Sequence, residues 1–202
     1  MTLQIIKIHG DWKEELKYYE PNFDRSFIKK TLKEDKNFAK KELSHSIIHD
    51  TMGIKRNTRG FLDHVKMPTL EKLRELIGLE NCQIIMLKYA FGEVHLIHKD
   101  FIPKYDHIDR DDVKIDESKL QLKNDNYQRI LFMLEDRKLG HYMQIGKKMI
   151  NKWSAGDLYI YDGKTEFHSA GNVGLEPRLV LRITGYPGKK FKEFCKKTEY
   201  HI

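Results

Sequence analysis

The sequence predicts one mainly β domain of the sandwich or barrel kind, with a supporting N-terminal part that contributes helices. Three observations predict it. Beyond Asn81, short β-branched or alternating segments recur roughly every eight to twelve residues, the rhythm of antiparallel strands and not of βαβ units. Glycine, proline and asparagine punctuate those segments. The chain has 202 residues, 40% hydrophobic and 11% aromatic, which suits one good-sized core and is short for two.

Taken in order, residues 3–8 read as a short strand and residues 12–19 as one or two helical turns. Residues 27–38 put Phe27, Ile28, Leu32 and Phe38 at weak helical spacing. Residues 68–77 form a clearer helix: Leu70, Leu73, Leu76 and Ile77 share one face, Pro68 stands near the start and Gly78 just past the end. Strands follow at 83–90, 94–100, 129–134, 142–145, 148–153 and 157–161, with Gly92 separating the first two. The charged span 101–126 reads as a long loop and a candidate substrate lid, because loops of that length usually cover or bind something. The expected layout is therefore a support over 1–80, a β core over 81–188, and a basic tail over 189–202 carrying Lys189, Lys190, Lys192, Lys196 and Lys197.

The formal charge of +7 favours anionic partners, although spread lysines and the tail supply much of it and solubility accounts for those. No apolar run approaches the ~20 residues of a membrane helix. The N-terminus lacks the layout of a secretory signal. Cys82 and Cys195 make no CxxC pair, so a cytoplasmic, reducing setting is expected.

Residues 165–184 organise the rest. A strand is expected to end near His168, a turn to use Gly171, Asn172 and Gly174 for their tolerance of positive φ, and a second strand to resume at Arg178 after Pro177. In that strand Leu179, Leu181 and Ile183 alternate with Arg178, Val180 and Arg182. Arginines on an enclosed face demand an anion, because an unpaired buried charge is too costly. Arg182 is expected in an ion pair near the rim, and Asn172 as a turn residue.

Residues 94, 96, 98 and 100 fall on one face of their strand, so His98 and Asp100 point the same way. With His168 they make two imidazoles and one carboxylate, a set that holds a metal on three sites and leaves the opposite face open. His95 is out of phase with His98 and is expected to face away as a structural residue. Tyr89, Tyr159 and Tyr161 serve equally as pocket donors or strand formers, and Trp153 is expected to pack at a turn.

The ordered set His98, Asp100, His168 and Arg178 resembles the HxD…H motif and following basic residue of iron- and 2-oxoglutarate-dependent oxygenases. The runs R-I-L-F-M-L-E-D, N-K-W-S-A-G-D-L-Y-I-Y and H-S-A-G-N-V-G-L-E-P-R-L-V-L-R-I-T-G-Y are similar to small, often phage-encoded members, over roughly residues 82–186. The resemblance implies a double-stranded β-helix (jelly roll, cupin-like) fold. It also implies Fe(II) on His98, Asp100 and His168, 2-oxoglutarate with its far carboxylate on Arg178, O2 as oxidant, and hydroxylation of a small-molecule or peptidyl substrate. Retention of Asp100 argues against halogenation. Two arginines four apart, without the N and T of R-x-N-x-T-x-R, argue against the nucleic-acid demethylases, so nucleic acid is not the expected partner. The rivals are a metal cupin enzyme that needs no 2-oxoglutarate and a non-catalytic basic jelly-roll module.

Overall fold

Alternating apolar side chains sort the strands into two sheets. The structure, a computed structural model, describes residues 3–21, 51, 53, 55, 57–100 and 128–202; the expected helical spacing over 27–38 and the expected lid over 101–126 lie outside them. The strands are β1 (Gln4–His9), β2 (Thr58–Phe61), β3 (Leu79–Tyr89), β4 (Val94–His98), β5 (Gln128–Met133), β6 (His141–Ile145), β7 (Lys148–Ile150), β8 (Asp157–Tyr161), β9 (His168–Asn172), β10 (Arg178–Pro187) and β11 (Glu199–His201). A 3-10 helix covers Lys13–Tyr18, and α-helices α1 and α2 cover Pro68–Ile77 and Lys189–Phe194.

The seven-stranded sheet runs β11-β1-β8-β5-β10-β3-β2, and the four-stranded sheet β4-β9-β6-β7. Counted from β3 as the first, the eight strands β3 to β10 lie in the orders 6-3-8-1 and 2-7-4-5. All pairings within those eight are antiparallel. That interleaving of two Greek keys is the double-stranded β-helix, or jelly roll.

The large sheet buries both faces. Leu181 and Ile183 of β10 join Leu70, Leu73 and Ile77 of α1 and Phe191 and Phe194 of α2 on the outer side. Val180 turns the other way, between the sheets, with Ile85, Leu87, Tyr89, Leu131, Met143 and Tyr161. The period-2 pattern read from residues 178–183 is thus the division between the two cores. Helix α1 ends at Gly78, whose φ of 66° is the left-handed cap, with its N–H donating to the Arg74 carbonyl. Its first turn is satisfied from outside: the Glu15 carboxylate accepts from the N–H groups of Thr69 and Leu70 at 2.8 and 3.0 Å.

Residues 189–202, expected as a trailing basic tail, instead carry α2 and β11. Phe191 and Phe194 are buried, and β11 pairs in parallel with β1. Sequence reading saw the lysines and passed over the apolar residues between them. The expected turn at 171–174 also moves. His168 begins β9 and does not end a strand, while Gly171 and Asn172 lie inside it, paired with Tyr142 and His141. Gly171 serves by lacking a side chain, since a Cβ there would lie 2.7 Å from Val94 Cγ1. The turn's real need for positive φ falls on Gly140 in the adjoining turn, at +87°, where a Cβ would sit 2.1 Å from Gly174 N. Replacing Gly140 by alanine is therefore expected to destabilise the fold by about 3 kcal/mol, seen as a lower urea midpoint.

Neither cysteine stands in a disulfide; Cys82 is buried and Cys195 half-buried. Among the described residues no helix is long and apolar enough to cross a membrane.

Candidate metal centre

His98 is the last residue of β4 and His168 the first of β9, and the two are cross-strand partners. Asp100 lies two residues past the end of β4, not within the strand as the expected span had it. Its backbone N–H donates to the Gly163 carbonyl at 2.6 Å, which ties the chain to the β8–β9 connection. Gly163 leaves room for the carboxylate, since a Cβ there would meet Asp100 Oδ2 at 2.1 Å. The ligand atoms of His98, Asp100 and His168 all lie within 4.8 Å of one another. Asp100 Oδ1 is 3.7 Å from His98 Nε2 and 3.5 Å from His168 Nε2.

Both imidazoles are oriented from behind. His98 Nδ1 lies 2.7 Å from the Leu96 carbonyl, and His168 Nδ1 3.1 Å from the Glu166 carbonyl. A carbonyl only accepts, so each Nδ1 carries the proton and each Nε2 is left with its lone pair toward Asp100. That backing is the usual outer support of metal-bound histidine. Burial opposes the charge on Asp100, but the Arg129 guanidinium beside it outweighs that and holds the carboxyl well below its usual range. Two lone-pair nitrogens and an ionised carboxylate converging on one point fit a divalent ion that favours nitrogen and oxygen donors.

The cluster opens into a cavity between the two sheets. Its wall includes Tyr89, Tyr161, His95 and three arginines, Arg59, Arg129 and Arg182. Tyr161 also meets His168 edge-on, with ring centroids 5.1 Å apart. Tyr159, the third expected tyrosine, is buried between the sheets, and its hydroxyl donates to the Lys152 carbonyl at 3.4 Å. Arg182 is buried and faces the cavity, so it does not stand at the rim. Asn172 is fully buried and does staple the turn: its Nδ2 donates to the Tyr89 and Glu176 carbonyls while its Oδ1 accepts from Gly174 N.

Arg178 sits behind the cavity wall. Its guanidinium carbon lies 5.0 Å from the Tyr89 ring centroid and 5.2 Å from that of Trp153. It is 2% exposed, and none of its three side-chain nitrogens has a hydrogen-bond partner. The two rings supply cation–π attraction, and the Tyr89 hydroxyl also favours the charge, but no nitrogen of this buried cation has a hydrogen bond of good geometry. Trp153, expected only to pack at a turn, is one of the two plates.

His95 overturns its expectation. From His95 to His98 the chain takes three steps on β4 while its partner takes two, from Ala170 to His168 on β9. This bulge shifts the alternation by one residue. The His95 ring consequently lies 4.2 Å from that of His98 and lines the cavity. Arg59 and Arg129 were missed by sequence reading. Arg129 carried a usable signal, being in phase with Leu131 and Met133 on a strand apolar from Ile130 onward, the same logic that singled out Arg178.

No protein-family profile matches the chain, and no curated protein does. Solved structures do. A prolyl-4-hydroxylase from Pseudomonas putida matches at 15% identity over 68% of this chain and 79% of that one, with a TM-score of 0.43. An uncharacterized conserved protein with a double-stranded β-helix domain from Klebsiella pneumoniae matches at 13% over 67% and 80%, TM-score 0.36. A cupin protein from Bacteroides fragilis matches at 11% over 67% and 80%, TM-score 0.35. The strand order, independently of these likenesses, makes the chain a double-stranded β-helix protein, and His98, Asp100 and His168 give it a candidate metal centre.

Proposed function

We propose that the protein is an Fe(II)- and 2-oxoglutarate-dependent oxygenase, a hydroxylase acting on a small-molecule or peptidyl substrate. The observation that carries this reading is Arg178: a buried guanidinium without a hydrogen-bond partner, on the same strand face as cavity-lining Arg182. A planar fork in that state suits a carboxylate, which it can hold through two parallel hydrogen bonds. His98, Asp100 and His168 would hold the iron, and Arg178, which does not line the cavity and would be reached by a turn of the Tyr89 ring stacked on it, the far carboxylate of the cosubstrate. Iron so held would, with 2-oxoglutarate and O2, supply the oxidising power for C–H hydroxylation, the cosubstrate leaving as succinate and carbon dioxide. The chain's own part is placement. The Leu96 and Glu166 carbonyls keep the imidazole lone pairs turned inward, and the apolar wall of Leu87, Leu131 and Met143 limits water beside them.

Calorimetric titration with Mn(II), with and without 2-oxoglutarate, tests this directly. The cosubstrate should bind much more tightly once metal is present, and Fe(II) with ascorbate should give slow succinate release that a substrate from a metabolite and peptide panel accelerates. Cosubstrate binding that is absent, or indifferent to metal, removes the reading. His95 favours one rival, a metal enzyme of cupin type with a third imidazole at the centre and no 2-oxoglutarate. That enzyme would bind Mn(II) and ignore the cosubstrate.

A further inference from the structure

The oxygen of Asp100 that faces both imidazoles is already engaged. Oδ1 lies 3.7 Å from His98 Nε2 and 3.5 Å from His168 Nε2, and the same atom accepts a hydrogen bond from Arg129 Nη1. Oδ2 is buried and has no hydrogen-bond partner. A residue that only oriented the carboxylate for a metal would occupy the oxygen turned away from the imidazoles and leave the facing one open. Arg129 does the reverse. Its stem is anchored in the large sheet, where Nε donates to Thr184 Oγ1 at 3.4 Å, and both residues are buried.

We infer that Arg129 is an internal stand-in for the metal: its guanidinium neutralises Asp100 in the metal-free protein, and an arriving ion must take Oδ1 from it. The inference rests on His98, Asp100 and His168 being metal ligands. A carboxylate buried beside two imidazoles with no cation would disfavour the folded state. Arg129 removes that difficulty and keeps the three ligands assembled before metal arrives. The consequence is a metal site weaker than its donor set alone would make, since loading parts one ion pair and leaves a like charge nearby. The bare Oδ2 of the same carboxylate gives the displaced guanidinium a place to go without leaving the core.

Calorimetry with Mn(II) on the parent, Arg129→Met and Arg129→Lys, joined to thermal unfolding with and without the ion, decides the matter. Arg129→Met should bind Mn(II) on the order of tenfold more tightly. It should melt lower than the parent without metal and gain more from adding it, with Arg129→Lys in between. Equal or weaker Mn(II) affinity in a folded Arg129→Met overturns the inference and makes Arg129 an orienting residue. Should Arg129→Met fold only with Mn(II) present, the Arg129→Lys affinity decides by the same criterion. Mn(II) binding by Arg129→Met alone would support the stand-in role most directly. If the parent binds Mn(II) and the variants match it, this inference alone falls. If none of the three binds, the metal assignment falls with it.

Discussion

Replacing His98 by alanine is expected to abolish metal-dependent turnover and to weaken Mn(II) binding by more than ~100-fold, beyond the loss that follows removal of an outer-shell partner. The site offers three side chains, and His98 is one of only two nitrogen donors among them. Loss of its Nε2 leaves one imidazole and a carboxylate whose facing oxygen already receives Arg129. Too few donors then remain to hold a divalent ion against water. His95→Ala is the matched control. Its ring is 4.2 Å from that of His98, yet it stands outside the convergent group of three, so Mn(II) affinity should stay within a few-fold of the parent. Calorimetry reads both variants, and succinate release reads the first. Parent-like metal binding in His98→Ala would end the assignment, and a large loss in His95→Ala would favour the rival centre with a third imidazole.

Arg178→Met should separate stability from function. Truncating one partner of a buried charged hydrogen-bonded pair costs about 2–5 kcal/mol of binding, so 2-oxoglutarate affinity measured with Mn(II) in place should fall at least ~30-fold. The same change removes a buried cation that no hydrogen bond satisfies in the protein alone. Well-packed apolar replacements of buried charges are often neutral or stabilising by about 1–4 kcal/mol. The methionine would lie between the Tyr89 and Trp153 rings, where sulfur–aromatic contact replaces part of the lost cation–π attraction. The melting temperature is thus expected to hold or rise while cosubstrate binding collapses. A variant that melts several degrees lower with 2-oxoglutarate binding intact would make Arg178 a structural cation and remove the main support for the oxygenase reading.

Much of the architecture was legible in residue order. The helix at Pro68–Ile77 announced itself by its stripe and by Pro68 and Gly78 at its ends, and most strands of the core lie within a few residues of their expected bounds. Errors cluster where local pattern and pairing disagree. Gly171 and Asn172 have turn chemistry but form strand, because β4 and β6 bracket β9 and supply its backbone partners. The C-terminal lysines hid Phe191 and Phe194, whose burial needs α1 to pack against. His95 was misplaced because strict alternation was assumed through a stretch that contains a bulge, and nothing in V-H-L-I-H marks the extra residue.

By itself, the order of residues determined the alternation that divides β10 between two cores, the candidate ligands His98, Asp100 and His168, and the arginines turned to the enclosed face. Those are consequences of period and residue type, which one strand carries alone. Only the tertiary structure decided that His95 looks into the cavity, that Arg178 is gripped by Tyr89 and Trp153, and that Arg129 from β5 takes the facing oxygen of Asp100. Each of these depends on register between strands distant in sequence, and a single-residue shift in register turns a side chain to the opposite face of its sheet.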